Sequence, residues 1–97
     1  MRFEWDPAKA EANLRKHRVS FDYAIRVFAD PDRLLDAVAD EDYGEDRWAV
    51  LGRPDPSKTD VYLVIYTDRH PDIRRIISAR KVRFEDAADY HSRFPEH

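Results

Sequence analysis

Cysteine is absent from this sequence. That excludes a disulfide framework and any zinc site built on thiolates. A small domain without such staples fits a reducing compartment and must be held by its core. Glycine occurs only twice among 97 residues and 38% of the chain is charged, which argues against a fibrous or low-complexity protein. Long apolar runs are missing too. The most apolar, VYLVIY (61–66), is far too short to span a bilayer, and the start MRFEWDPAKA has no apolar segment of signal-peptide length. These absences lead us to expect a soluble, cytoplasmic protein.

What is present suffices for one core. Two Trp, five Phe and five Tyr supply large apolar groups, and the length suits a single domain over residues 1–97. The net charge of −3 hides a strong asymmetry. Residues 30–47 hold eight acids against Arg33 and Arg47, whereas residues 69–83 hold six cations against Asp72. Residues 9–18 add four cations against Glu11. A general nucleic-acid coat would be basic throughout. This distribution suggests a local anion site with an acidic flank.

The pattern along the chain predicts the order β-α-α-β-β-β-β-α, an α+β domain with an antiparallel sheet. RFEW is a short strand. Asp6 as N-cap and Pro7 at the first helical position open a helix ending near His17. Its apolar stripe is Ala10 and Leu14, extended by His17, while Lys9, Asn13 and Lys16 form a polar stripe. Ser20 caps a second helix whose buried face is Phe21, Ala24, Ile25 and Phe28, stopped by ADPD. Strands follow at 33–38, 47–52, 61–67 and 73–82, the third apolar on both faces and therefore central. FEDAADYHSRF closes the chain as a helix with Phe84, Ala87, Ala88 and His91 at helical spacing.

The strand IRRIISARKVR (73–83) is the most informative segment, with five cations and no acid. Strict alternation puts Arg75, Ile77, Ala79 and Lys81 on one face and Arg74, Ile76, Ser78, Arg80 and Val82 on the other. Such cations can guard an edge strand against aggregation or pair with the acidic segment. They can also bind phosphate, since the guanidinium fork matches phosphate oxygens and Lys adds a point charge. Among acid–base candidates His17 is favoured, because imidazole is the side chain whose intrinsic range lies nearest neutrality, although His at a helix C-terminus is also a common structural cap. Trp5 and Trp48 offer faces on which bases stack, or core anchors; the strand position favours the core for Trp48. Four scattered His without Cys predict no metal site, and nothing implies a cofactor.

Four segments, FEWDPAKAEANLRKHRVSF (3–21), VFADP (27–31), EDRWAVLG (45–52) and RIISARKV (75–82), resemble the BrnT family of bacterial toxins over about residues 3–83. The resemblance implies a RelE-like fold, a curved antiparallel β-sheet flanked by helices. It implies a metal-independent endoribonuclease, the toxin of a type II toxin–antitoxin pair, cutting RNA by 2′-hydroxyl attack. The implied partner is a BrnA-like antitoxin with a ribbon-helix-helix DNA-binding region, through which alone operator DNA would be engaged. On the matching positions, Arg80, Lys81, Arg75, Lys16 and His17 are the expected catalytic residues. Lys9, Asn13, Arg74, Arg83 and Trp5 are the expected RNA contacts, and Ser78 belongs to the same motif. Two departures stand out. Arg18 replaces the family's Gly after the K-H pair, where a left-handed residue would cost about 1 kcal/mol relative to Gly. The last helix, FEDAAD, is acidic where relatives tend to be basic. They motivate a second reading, a degenerate toxin kept as antitoxin-binding partner and co-repressor. A general RNA-binding module sits poorly with a net charge of −3.

Overall fold

A computed structural model describes residues 1–38, 46–83 and 87–91 of the chain. Its elements are β1 (Arg2–Glu4), α1 (Pro7–His17), α2 (Phe21–Ala24), a 3-10 helix (Ile25–Ala29), β2 (Leu34–Val38), β3 (Arg47–Gly52), β4 (Val61–His70), β5 (Ile73–Val82) and α3 (Ala88–His91). Phe84 and residues 39–45, which hold four of the eight acids of the acidic stretch, lie outside the described residues. Among the described residues no helix is long and apolar enough to cross a membrane.

Local chemistry sets the helix boundaries. The Asp6 carboxylate accepts the Ala8 N–H at 2.9 Å and Pro7 follows it, satisfying a donor that α1 leaves orphaned. Ser20 does the same for Tyr23 at 3.2 Å and opens α2. That helix lasts only four residues before tightening into the 3-10 form. The tightening accompanies a close approach to β3, where a Cβ on Gly52 would sit 3.0 Å from the Val27 side chain and 3.1 Å from its carbonyl. Gly52 therefore serves as the contact surface for Val27 as well as the end of a strand.

The five strands lie in the order β1-β5-β4-β3-β2. From β2 to β5 all pairings are antiparallel, but β1 joins β5 in parallel, with Phe3 opposite Arg74 and Glu4 opposite Arg75. The sheet is mixed, which corrects the expectation of an antiparallel one. Three residues of strand carry no signal of direction; α1 and α2 return the chain across the sheet, and that crossover leaves β1 running the same way as β5. The helices cover one face, where Phe21, Ala24 and Val27 pack on Val64, Tyr66 and Ile76. At one end of the opposite face, Tyr90 and Ala87 cover Val61 and Val82.

Because β1 pairs only with residues 73–75, the rest of β5 has an edge with no neighbouring strand among the described residues. Asn13 of α1 fills it. Its side-chain amide donates to the Ala79 carbonyl at 2.8 Å and accepts the Ala79 N–H at 3.1 Å. It also donates to the Val19 carbonyl at 3.1 Å, tying the turn after α1 to the same point. Asn13 is buried while Leu14 is 48% exposed, so the inward stripe of α1 is Ala10, Asn13 and His17 rather than Ala10 and Leu14. The expectation that Asn13 faces RNA is corrected, because its amide is committed to backbone.

Arg18 takes the left-handed conformation, φ 61° and ψ 28°, and its N–H closes α1 on Leu14. The turn thus keeps the geometry that Gly would favour. Arg18→Gly should raise stability by about 1 kcal/mol in urea unfolding. Asn13→Ala strands three buried backbone groups and should lower it by about 3 kcal/mol. An unchanged unfolding midpoint for Asn13→Ala would contradict the edge-clamp role.

Candidate functional site

The charged strand does not alternate simply. Ser78 lies opposite Ile65 while Ile76 lies opposite Tyr66, so Ile77 is an extra residue, a β-bulge. Its effect is visible in the core, where Ile76 and Ala79, three residues apart, both pack on the helix-covered face. Past the bulge the assignment of faces inverts. Arg75, Ser78 and Arg80 share the face away from α1 and α2, whereas Arg74 and Lys81 share the helix-covered face. This corrects the strict alternation, which paired Arg75 with Lys81.

Each expected cation has a distinct setting. Arg80 is exposed, and among the described residues it has no acidic partner. Arg75 is half-buried and donates to Glu4 at 3.2 Å, across the parallel pairing. Arg74 is a packing residue: its guanidinium lies 4.8 Å from the Phe28 ring and 4.9 Å from the Tyr66 ring, and Nε donates to Asp68 at 3.2 Å. Arg74, expected as an RNA contact, thus has its guanidinium engaged within the fold by two rings and a solvated acid. Lys81 pairs with Asp60 at 3.4 Å, both side chains being largely solvated. Lys9, Lys16 and Arg83 are exposed, and His17 is half-buried on the inward side of α1. Trp5, another expected RNA contact, is half-buried and meets Phe21 edge-on at 5.7 Å, an anchor of the core.

The structure therefore gathers Arg75, Ser78 and Arg80 on one face and leaves Lys9, Lys16 and Lys81 elsewhere. Two groups on the Arg80 face escaped the sequence reasoning. Glu4 supplies a carboxylate beside Arg75, and Arg47, half-buried, lies on the same face as its strand neighbour Ala49. Glu4 is visible only through the β1–β5 pairing, and Arg47 was masked by the acids around it. Among the described residues, no three His, Cys, Asp or Glu side chains are grouped to hold a metal ion.

A buried polar network bounds this face. Asp30, after the 3-10 helix, accepts the Tyr90 hydroxyl at 2.5 Å, the Arg53 N–H at 2.8 Å and the Asp32 N–H at 2.9 Å. Arg53 Nε donates to the Tyr90 oxygen at 3.1 Å. Burial works against ionising Asp30, yet these donors outweigh it and hold the carboxyl below its usual range. Tyr90 responds oppositely: burial, then its bond to Asp30, pushes the phenol up to about 12.

The sign of the pH effect follows. A raised folded pKa means the protonated phenol contributes stability below its ordinary value near 10, and loses it as pH rises towards about 12. Asp30, being lowered, contributes at neutral pH and loses its contribution in acid. Tyr90→Phe should cost about 2 kcal/mol at neutral pH. Its deficit against the wild type should shrink between pH 10 and about 12, as read by urea unfolding across that range. A deficit constant with pH would rule out the Tyr90–Asp30 bond as its source.

The comparisons with known proteins fit this architecture. A family model described as "Ribonuclease toxin, BrnT, of type II toxin-antitoxin system" matches residues 5–86. Among solved structures, the chain is similar to the Brucella abortus ribonuclease toxin BrnT, with a TM-score of 0.65 and 20% identity over 86% of this chain and 97% of that one. That likeness shows a shared fold. No curated protein matches the chain. The family match spans most of the sequence, from Trp5 through α1 to β5, and on it the chain belongs to the BrnT ribonuclease toxins of type II toxin–antitoxin systems.

Proposed function

We propose that this chain is a cytoplasmic, RelE-like endoribonuclease that needs no metal or cofactor, and that it inhibits translation by cutting RNA. The observation that carries this reading is the bulge, which sets Arg75, Ser78 and exposed Arg80 on one sheet face. In such a reaction the 2′-oxygen attacks the adjacent phosphorus as its proton leaves. Negative charge grows on the non-bridging oxygens, and the 5′-oxygen departs with a proton. Arg80 meets the growing charge, and Arg75 orients the phosphate. Lys81, Lys16 and His17 remain candidates for contact and proton transfer from the neighbouring edge, with Lys9 and Arg83 holding flanking phosphates. A positioned cation of this kind contributes roughly 10²–10³-fold to the rate.

A type II toxin has an antitoxin. We infer a BrnA-like one with a ribbon-helix-helix region, which carries the pair to operator DNA. The reading of a degenerate, non-cutting toxin loses part of its motive, because Arg18 adopts the left-handed turn that Gly would.

The test is cleavage of end-labelled single-stranded RNA in EDTA, wild type beside Arg80→Ala. The wild type should release a 2′,3′-cyclic phosphate end and Arg80→Ala should be slower by roughly 10²–10³-fold. Equal rates would remove Arg80 from the site. No cleavage by the folded wild type would favour the non-cutting partner.

A further inference from the structure

On the helix-covered face, at the end away from Arg75, two tyrosines and two cations from α2, the 3-10 helix, β4 and β5 meet in one cluster. Tyr62 of β4 lies opposite Lys81 in the β4–β5 register. Tyr23 of α2 meets the Tyr62 ring edge to face, with centroids 5.6 Å apart and planes at 79°. The Arg26 guanidinium lies over the Tyr23 ring at 5.5 Å. Both rings are half-buried, whereas Arg26 and Lys81 are exposed. The surface thus layers a guanidinium on a ring and that ring against a second, with an ammonium beside it.

This combination suits unpaired nucleotides better than it suits folding alone. A base stacks on any aromatic or guanidinium plane, whatever its sequence. The cations answer the backbone that comes with the base. A phenol is neutral at physiological pH, and burial, then Tyr23 and Asp60, raise the pKa of Tyr62 further, so it carries no charge to repel phosphate. Asp60 is the acid in direct contact, paired with Lys81 at 3.4 Å with side chains 42% and 58% exposed. Such a solvated pair is weak, and a phosphate can displace it. Asp55 also feels Arg26, but its carboxylate is occupied by the Ser57 N–H and hydroxyl of its own turn. A cleft of about 250 Å³ opens beyond Arg26, walled in part by Pro31, Pro54 and Pro56.

Resting on the ribonuclease reading above, we propose that Tyr62, Tyr23, Arg26 and Lys81 form a stacking subsite for an unpaired base of single-stranded RNA, next to the phosphate held at Arg80. Lys81 and Arg80 are consecutive and point to opposite faces, so RNA reaching both would bend over the end of β5. Selection for single strands follows, because a duplex cannot release a base to the tyrosines.

The test is the affinity of the full chain for a short fluorescent single-stranded RNA, 2′-O-methylated so that it survives binding. Tyr62→Leu keeps the apolar bulk but loses the ring, and should weaken binding by about 5- to 140-fold. Tyr62→Phe should bind like the wild type. An abasic strand of equal charge should lose a similar factor on the wild type, a comparison that holds even if Tyr62→Leu fails to fold. Equal binding of the abasic and base-bearing strands, or unchanged binding by folded Tyr62→Leu, would overturn the subsite. Unmethylated RNA still cut under those results would leave the ribonuclease reading standing. A wild type that neither binds nor cuts RNA would overturn both.

Discussion

The bond between the Asn13 amide and both backbone groups of Ala79 is the constraint from which the site follows. A three-residue β1 leaves most of β5 with an unpaired edge, and such an edge invites pairing with another chain. One side chain, offering a donor and an acceptor in a plane, imitates a strand there. Because the same amide holds Val19, it also fixes how α1 turns into α2. The orientation of α1 is therefore set from β5, and Lys9 and Lys16 are left on its solvated side. A motif that reads as a row of RNA contacts is in part the hinge pin of the fold.

The bulge at Ile77 answers why an acidic protein carries so basic a strand. Without it, five cations would fall on two faces in strict alternation. With it, Arg75 and Arg80 come to one face while Arg74 and Lys81 go to the other. Acids then take up part of the charge on each side: Glu4 holds Arg75, Asp68 holds Arg74 and Asp60 holds Lys81. All three pairs are partly solvated and weak, so they quiet the strand without locking it. Of the four cations within β5, Arg80 is the one with no such partner among the described residues.

How much of this the sequence reveals depends on how local each determinant is. The caps Asp6 and Ser20 act within three residues, and both are legible. Apolar Val61, Val64 and Tyr66 mark a central strand, and β4 is one, though it runs on to His70. The parallel placement of β1, the bulge, and the Asn13 clamp all depend on partners far along the chain. Asn13 and Ala79 are 66 residues apart, and no periodicity within α1 distinguishes a buried Asn from an exposed one. Arg74 reads like its neighbour Arg75, and only the fold brings it against the touching rings of Phe28 and Tyr66. The family resemblance was carried by short motifs, and these mix chemistry with architecture in a way spacing alone does not separate.

Asp30 shows the same mixture from the opposite side. In the sequence it is one of eight acids between residues 30 and 47, an unremarkable part of a charged flank. In the fold it is buried, accepting from Tyr90, Arg53 and Asp32, and it joins the end of the 3-10 helix to β3 and to α3. These donors keep it ionised despite its burial. That network seats α3 over Val61 and Val82 and so sets where the covered half of the face ends. Ser78 and Arg75 lie beyond that boundary, half-buried, where a ligand can approach. Among the described residues, the buried Asp30 carboxylate therefore shapes this end of the sheet while its charge is met by its own donors, leaving Arg74 and Arg75 to Asp68 and Glu4, whose pairs are solvated enough to open.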